Sequence, residues 1–156
     1  MPASSHFKEL LKSFNEHQVK YLLVGAYAVM KYTEPRYTKD LDIWVAPTDE
    51  NASRVYKALA EFGAPKSGVT PEDFTKVDLM FQVGIAPHRI DILMGVKGLE
   101  FAGAWERRVE AMFEDVPMRL VCKEDLLVSK EAAGRPQDLI DAASLRTSDN
   151  VDTSSS

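Results

Sequence analysis

Apolar residues recur along this chain with the period of a helix in some segments and with the period of a strand in others. Near the start, the spacing i, i+3, i+4 and i+7 predicts an amphipathic helix, because residues so spaced share one helix face. These residues are Phe7, Leu10, Leu11 and Phe14. A short apolar run over residues 21–24 ends at Gly25 and predicts a buried strand. A short helix is expected to follow over residues 26–31.

The next segment predicts a strand and a capped helix. Residues 40–45 (DLDIWV) are rich in β-branched and aromatic side chains and are followed by Pro47, which predicts a strand that ends there. Thr48 is a candidate N-cap for a helix that Gly63 closes. The inward face of this helix is predicted to carry Val55, Leu59 and Phe62.

The centre of the chain predicts a loop and two strands. Residues 64–75 are rich in turn-forming residues and predict the loop. Apolar residues then alternate with polar or smaller ones, as expected of a half-buried strand. They are Val77, Leu79, Phe81 and Val83. A turn over residues 84–87 leads to a second strand over residues 88–94 (HRIDILM).

The C-terminal part predicts a helix, a strand and two further helices. The first helix, over residues 100–112, is predicted from three apolar residues spaced four apart: Phe101, Trp105 and Val109. Residues 118–122 predict the last strand, and helices over residues 123–133 and 136–145 close the chain. The element order indicates an α/β (α+β) fold, a mixed twisted sheet with helices packed on it.

Composition narrows the class of protein. The chain has 156 residues, of which 45% are hydrophobic and 28% are charged, as is typical of one globular domain. Cys122 is the single cysteine, which excludes an intrachain disulfide scaffold and a cysteine-rich zinc module. No apolar run approaches the roughly 20 residues of a membrane helix, and the charged start is unlike a signal peptide. We expect a cytoplasmic protein with one domain over residues 1–146 and a disordered polar tail over residues 147–156.

Three acidic residues on predicted strands are candidate metal ligands. Asp40 and Asp42 are two apart and therefore point to one face of their strand, and Asp91 lies in the middle of an apolar strand. Neighbouring carboxylates repel unless a cation lies between them, and hard oxygen donors favour Mg²⁺ or Mn²⁺. The net charge of −5 is compatible with such a site and disfavours non-specific binding of nucleic acid. The alternatives are a solvated strand end for the Asp pair, and a salt bridge from Asp91 to Arg89 or Arg36.

A candidate phosphate site lies before the acidic strand. Gly25 and Ala26 end one predicted strand and open a helix, where backbone N–H groups and the positive end of the helix dipole attract a phosphate. The same pair is also compatible with plain close packing of the chain. A predicted strand, a Gly-Ala turn, a helix, an Asp-x-Asp strand and a third acid on a later strand are together much rarer than any one of them.

With these motifs the sequence resembles the nucleotidyltransferase superfamily typified by DNA polymerase beta, and in particular the small bacterial proteins related to the AbiEii and MenT toxins. Gly25-Ala26 matches the strand-ending Gly-Gly or Gly-Ser of that family, Asp40 and Asp42 match its Asp-x-Asp strand, and Asp91 matches its third acid. Ala26 departs from the pattern: it keeps the backbone N–H but lacks the Ser hydroxyl.

Two further segments are typical of the same branch. One is the Arg-x-Thr-x-Asp-x-Asp run that starts with Arg36 and Thr38. The other is the C-terminal segment DLLVSKEAAGRPQDLID, which contains Lys130, Arg135 and Asp138. The resemblance covers residues 7–146, nearly the whole chain.

The resemblance implies an enzyme that uses Mg²⁺ or Mn²⁺ to move a nucleoside monophosphate from an NTP to an acceptor hydroxyl. It implies catalytic and metal-binding roles for Asp40, Asp42 and Asp91. Phosphate-binding roles are implied for Gly25, Ala26, Arg36, Thr38, Lys130 and Arg135. The acceptor stays open among RNA, a protein side chain and a small molecule. A role in a toxin–antitoxin pair, with a cognate antitoxin as partner, is a further expectation.

The residues themselves leave alternatives open. Lys130 and Arg135 lie around a helix end and would complement its dipole without any ligand. Arg36 and Thr38 would position either a phosphate or the strand, and Asp138 would orient Arg135 or favour the start of the last helix. A non-catalytic nucleotide-binding or regulatory module on the same fold is the alternative function. A phosphatase of the haloacid dehalogenase type is disfavoured by the residues that follow the second Asp, Ile43 and Trp44.

Overall fold

The computed structural model describes residues 4–34, 40–64, 68–83 and 89–148, with side chains described from residue 6 onward. The helices are α1 (Ser4–Glu16), α2 (Gly25–Tyr32), α3 (Asp49–Phe62), α4 (Phe101–Glu106), α5 (Lys123–Ala133) and α6 (Pro136–Thr147). The strands are β1 (Tyr21–Val24), β2 (Asp40–Val45), β3 (Met80–Val83), β4 (Arg89–Leu93), β5 (Val109–Phe113) and β6 (Val116–Leu120). A short 3₁₀ helix covers Pro71–Thr75. None of the helices in these ranges combines the length and the apolar character that crossing a membrane requires.

Within the described residues, six strands form one mixed sheet in the order β3-β4-β2-β1-β6-β5. β2 is antiparallel to β1 and parallel to β4, and β4 is antiparallel to the edge strand β3. On the other side, β1 is parallel to β6, which forms an antiparallel hairpin with β5. The predicted mixed sheet is confirmed, and β2, the Asp-x-Asp strand, lies inside it between β1 and β4.

The face of β2 opposite its acids packs into the core along the whole strand, which fixes the direction in which the acids point. Leu41, Ile43 and Val45 are completely buried, whereas Asp40 and Asp42 lie on the opposite face. The predicted apolar stripe of α1 is also completely buried: Phe7, Leu10, Leu11 and Phe14. Burying one such side chain contributes about 1.5–3 kcal/mol. A slip of one residue would bury the acids instead, so the core specifies the register of the site.

Helix α3 begins and ends where the sequence predicts. The Thr48 Oγ1 atom accepts a hydrogen bond of 3.2 Å from the backbone N–H of Asn51, as an N-cap does. Gly63 closes the helix in the left-handed conformation, with φ +99°. Val55 and Leu59 are buried against the core, and Phe62 is half-buried.

The predicted helix over residues 100–112 is wrong in its second half. Helix α4 ends at Glu106, and the chain then forms the strand β5. Ala111 and Phe113 are buried while Glu110 and Met112 are exposed, which is the alternation of a strand. Pairing with β6 through a two-residue turn supplies the hydrogen bonds that the helix would have made.

Three further boundaries differ from the prediction. The strand expected from Val77 begins only at Met80. Val77 and Leu79, which were predicted on its buried face, are 62% and 42% exposed. The expected loop before it contains the 3₁₀ helix. The last strand ends at Leu120, two residues early, because the Cys122 Sγ atom caps α5 by accepting from the backbone N–H of Asp125.

Some predictions fall on residues that the structure does not describe. They are the turn over residues 84–87, the start of the next strand at His88, and most of the tail. Of the tail, Thr147 belongs to α6 and Ser148 follows it, while residues 149–156 lie outside the described ranges.

Candidate active site

Two acids predicted from different strands lie side by side. The parallel pairing of β2 with β4 sets Asp42 opposite Asp91 and Asp40 opposite Arg89. Because side chains two apart on a strand share a face, all four point to the same side of the sheet. The structure therefore brings Asp40, Asp42 and Asp91 into the wall of one cleft.

The Asp42 carboxyl lies in an environment that disfavours its charge. Burial raises its pKa to about 7, and the neighbouring charges of Asp91 and Asp40 act in the same direction. A hydrogen bond with Asp91 adds to the rise, and the positive charge of Lys130 opposes it. The Oδ1 atom of Asp91 is buried and has no hydrogen-bond partner among the described residues. The pair therefore holds a buried acceptor atom that no described residue satisfies.

Asp40 pairs with an arginine of the neighbouring strand. Its side chain is 39% exposed, and its Oδ1 atom lies 3.7 Å from the Nε atom of Arg89. The salt bridge considered for Asp91 with Arg89 is therefore formed by Asp40. In the described part of the chain, no three His, Cys, Asp or Glu side chains are grouped closely enough to hold a metal ion as they stand.

Gly25 brings the start of α2 against the acids. It has φ +73°, a conformation that favours glycine. A Cβ atom at this position would lie 2.9 Å from the Cγ atom of Asp42 and closer still to its Oδ2 atom. Gly25 and Ala26 both line the cleft, as the phosphate-site prediction requires. The positive end of α2 thus faces the carboxylate row.

The opposite wall of the cleft carries the two predicted basic residues. Lys130 of α5 and Arg135, which precedes α6, both line it. Lys130 is 11% exposed and its Nζ atom lies 3.3 Å from Asp138 and 3.2 Å from Asp141. Arg135 is 76% exposed, and its Nε atom lies 2.5 Å from Asp138. Both cations therefore face the cleft while they are held by acids of α6.

Asp138 serves both roles that its position suggested. Its Oδ2 atom accepts from the backbone N–H of Arg135, as a capping residue does at the start of α6, and also from the Arg135 side chain. The bond to the guanidinium holds the pKa of Asp138 below its usual range.

Sequence reasoning missed Asp141. It is buried, it ion-pairs with Lys130, and its Oδ1 atom accepts from the Gln137 side chain at 3.0 Å. The available signal was its spacing, three residues after Asp138, which puts both acids on one helix face. An apolar wall formed by Met80, Leu93 and Val96 was also missed.

The cleft as a whole is a groove of about 680 Å³ between the sheet and the α5–α6 pair. It collects every predicted site residue that the structure describes: Gly25, Ala26, Asp40, Asp42, Asp91, Lys130 and Arg135. The other two predicted phosphate-binding residues, Arg36 and Thr38, lie outside the described residues.

The donor set fits a divalent cation of the Mg²⁺ class. Its atoms are all carboxylate oxygens, which hard cations prefer. The buried Asp91 Oδ1 atom lacks a partner, and mutual repulsion with Asp91 raises the pKa of Asp42. Asp42, Asp91 and Asp40 would hold such a cation, and it would supply positive charge to these carboxyls.

Comparison with solved structures finds the same fold in two proteins that are described by their relation to antibiotics. The lincosamide antibiotic adenylyltransferase LnuA, in its lincomycin-bound crystal structure, superposes with a TM-score of 0.59 at 16% identity, over 92% of this chain and 96% of LnuA. The solution structure of the antibiotic-resistance factor ANT(2'')-Ia gives a TM-score of 0.60 at 15% identity, over 93% of this chain and 81% of that one. The crystal structure of ANT(2'')-Ia in complex with adenylyl-2''-tobramycin gives a TM-score of 0.53 at 13% identity, over 94% of this chain and 98% of that one. At such low identity the likeness establishes the fold.

Sequence comparison identifies the family. No curated protein matches the sequence closely enough to count as a relative. The model of a family described as "Nucleotidyltransferase of unknown function (DUF6036)" matches residues 4–155. The predicted superfamily is thereby confirmed, whereas the AbiEii and MenT branch stays a prediction. By its sequence over almost its entire length, and in agreement with its fold, the chain belongs to this family of nucleotidyltransferases.

Proposed function

We propose that this chain transfers a nucleoside monophosphate from an NTP to a hydroxyl group, with a divalent cation held by Asp42, Asp91 and Asp40. The observation that carries the proposal is the half-buried Asp42–Asp91 pair, which lies beside the glycine that opens α2. Such an arrangement offers a cation site and a phosphate site in one cleft.

The reaction forms a bond between the acceptor oxygen and the α-phosphorus and breaks the bond from that phosphorus to pyrophosphate. Bound Mg²⁺ supplies charge neutralisation on the phosphates and lowers the pKa of the acceptor hydroxyl. Asp91, which lines the cleft, is our candidate to take the hydroxyl proton. Asp42 lies next to it and keeps the cation at the reacting face.

The triphosphate has binding groups on both sides of the carboxylate row. The backbone N–H groups of Gly25 and Ala26 approach it from the start of α2. Lys130 and Arg135 offset its negative charge from the opposite wall. For Arg36 and Thr38 the sequence pattern alone supports a role, which is to position either the phosphate or the strand.

We assign the acceptor to the class of small hydroxyl-bearing molecules. The support is what the similar structures hold: LnuA is lincomycin-bound, and ANT(2'')-Ia is in complex with adenylyl-2''-tobramycin. The apolar wall of Met80, Leu93 and Val96 borders the Asp91 side of the cleft and offers such a molecule a surface. RNA and protein side chains are the alternative acceptors, and the test distinguishes them from a small molecule.

The test is a transfer screen with each α-³²P-labelled NTP. The protein would be incubated with Mg²⁺ and, separately, with a small-molecule extract, total tRNA and a protein extract. We expect label on the small-molecule fraction that disappears with Asp42→Ala and with Asp91→Ala. Label on tRNA or protein would overturn the acceptor assignment. No label from any of the four nucleotides with folded protein would favour a non-catalytic module and overturn the transfer reaction.

The toxin–antitoxin role rests on the resemblance to the AbiEii and MenT proteins alone. If it is correct, induced expression in a bacterial host arrests growth, and Asp42→Ala abolishes the arrest without lowering the protein level. Growth that is unaffected by the unsubstituted chain at equal protein level would remove this part of the proposal.

A further inference from the structure

Two buried carboxylates of α6 enclose the ammonium group of Lys130. The Nζ atom lies 3.3 Å from Asp138 Oδ1 and 3.2 Å from Asp141 Oδ2. Both acids are 2% exposed, and they lie three residues apart on one face of the helix. One lysine thus ties α5 to α6 at the edge of the cleft.

The arrangement is costly if its purpose is only to join two helices. Carboxylates out of water lose solvation, and a buried ion pair often contributes no more than well-packed apolar side chains of similar volume. Asp141 adds a second buried negative charge to a lysine that Asp138 already pairs. Such a pair of acids does more to fix the position of the ammonium than to stabilise the fold.

Fixing that position has a consequence for the cleft. A lysine ammonium has three N–H donors on a flexible stem. Two of them are directed to α6 by Asp138 and Asp141. Lys130 and Gly25 both line the cleft. The positive charge of Lys130 reduces the rise that burial causes in the pKa of Asp42. The remaining donor is therefore available to a ligand over the carboxylate row.

We propose that Asp138 and Asp141 are positioning residues that hold Lys130 so that its remaining N–H meets the triphosphate of the nucleotide. This inference rests on the proposed function and adds two residues to it. Asp138 also binds Arg135 and caps α6, whereas Asp141 takes no part in the cap. Asp141 therefore isolates the positioning role.

The experiment measures nucleotide affinity of the full chain by calorimetric titration with ATP, CTP, GTP and UTP, each with Mg²⁺, and with the corresponding monophosphates. We expect Asp141→Asn to weaken binding of the preferred NTP by about tenfold to 100-fold, in the range of a charged hydrogen bond. Affinity for the monophosphate should change much less, because it lacks the outer phosphates. Asp141→Glu, which keeps the charge, should recover part of the loss.

A double-mutant cycle separates positioning from general damage. If Asp141 acts through Lys130, then Asp141→Asn causes no further loss of NTP affinity in a Lys130→Gln background. The matched control is Asp125→Asn, which removes another buried acid, paired with Arg107 at 2.9 Å and outside the cleft lining. This control should lose stability and keep its NTP affinity.

Several results would overturn the inference. One is an unchanged NTP affinity in folded Asp141→Asn. Another is that Asp141→Asn lowers NTP affinity equally in the unsubstituted chain and in the Lys130→Gln background. If Asp141→Asn does not fold, the same comparison is made with Asp141→Ser, which also removes the charge and for which an unchanged NTP affinity has the same meaning. Absence of nucleotide binding by the unsubstituted chain would overturn the proposed function together with this inference, whereas the results above leave the proposed function in place.

Discussion

Gly25 packs directly against the carboxyl group of Asp42. A Cβ atom at Gly25 would lie 2.9 Å from the Asp42 Cγ atom and 3.0 Å from its Cβ atom, distances that real side chains do not tolerate. The contact arises because Val24 pairs with Asp42 across β1 and β2, which brings the next residue over the acid. The turn that opens α2 and the Asp-x-Asp strand therefore constrain each other.

Substitution of Gly25 by alanine should damage both stability and nucleotide binding. The left-handed backbone costs a non-glycine residue about 1–2 kcal/mol, and the added methyl group must also displace the Asp42 side chain. We expect Gly25→Ala to lose more free energy of unfolding than the backbone cost alone, and to lose most of its NTP affinity. Urea denaturation and calorimetric titration measure the two effects.

Gly63 supplies the matched control for this substitution. It has φ +99°, and no atom lies within 4 Å of the position of an added Cβ. Gly63→Ala should therefore show the backbone cost and unchanged nucleotide binding. Equal losses in the two variants would mean that the Asp42 contact has no energetic consequence.

The pKa of Asp42, about 7 against an ordinary value of 3.8, makes stability depend on pH. A carboxyl whose folded pKa is raised favours folding below its unfolded pKa, and this contribution is lost as the pH rises through the folded pKa. Without metal, the protein should thus lose stability between about pH 4 and pH 7 through this group. Each tenfold change in proton affinity is worth about 1.4 kcal/mol, so the loss amounts to a few kcal/mol.

Comparison with Asp42→Asn isolates that contribution. In EDTA, the variant should gain stability relative to the unsubstituted chain as the pH rises from about 5 to about 8, measured by urea denaturation. Asp115→Asn is the control that should show no such change over this range, because the hydrogen bond with Lys8 lowers the pKa of Asp115 below its ordinary value of 3.8. A pH profile of Asp42→Asn parallel to that of the unsubstituted chain would contradict the assignment.

The acids of the site could be predicted from sequence because their geometry follows from strand periodicity. Asp40 and Asp42 had to share a face of their strand. Asp91 lies among apolar residues, so its carboxyl needed a cleft or a partner. What the sequence left open was the pairing of β2 with β4, which decides that Asp91 lies opposite Asp42 and that Arg89 lies opposite Asp40. That pairing depends on contacts between residues far apart in the chain.

The errors of prediction have a related origin. Phe101, Trp105 and Val109 have helical spacing, yet Val109 is the first residue of β5, because long-range pairing with β6 outweighs local periodicity. The sequence does not single out Asp141, and only the approach of α5 to α6 places it against Lys130. The local sequence pattern thus predicted most helices and strands and the face on which each side chain lies. Tertiary packing decided which residues from distant parts of the chain are in contact.

Removal of the third acid should abolish the response to Mg²⁺. Asp91 Oδ1 is buried without a partner among the described residues, beside a carboxyl that repels it. We expect Mg²⁺ at about 10–100 times its Kd to stabilise the unsubstituted chain by about 1.4–2.7 kcal/mol. Asp91→Asn should lose this response, and in EDTA it should be at least as stable, because one buried charge is gone. Urea denaturation with MgCl₂ and with EDTA measures both.

Asp125→Asn serves as the control for the Mg²⁺ response. It leaves the cleft intact and removes the partner of Arg107, so it should be less stable in both solutions and keep the Mg²⁺ effect. An undiminished Mg²⁺ effect in Asp91→Asn would show that the cation binds elsewhere.

Arg135 should matter for nucleotide binding far more than for stability. Its guanidinium is 76% exposed although it bonds to Asp138, and exposed ion pairs contribute at most about 1 kcal/mol. Arg135→Gln should thus change the free energy of unfolding by less than about 1 kcal/mol while weakening NTP affinity by about tenfold, the loss expected of one charged hydrogen bond. The control is Arg146→Gln, which removes an arginine that is 52% exposed and ion-paired with Glu131 but lies outside the cleft lining. If the two variants bind nucleotide equally well, Arg135 only caps α6; if Arg135→Gln alone loses affinity, its charge acts on the phosphates.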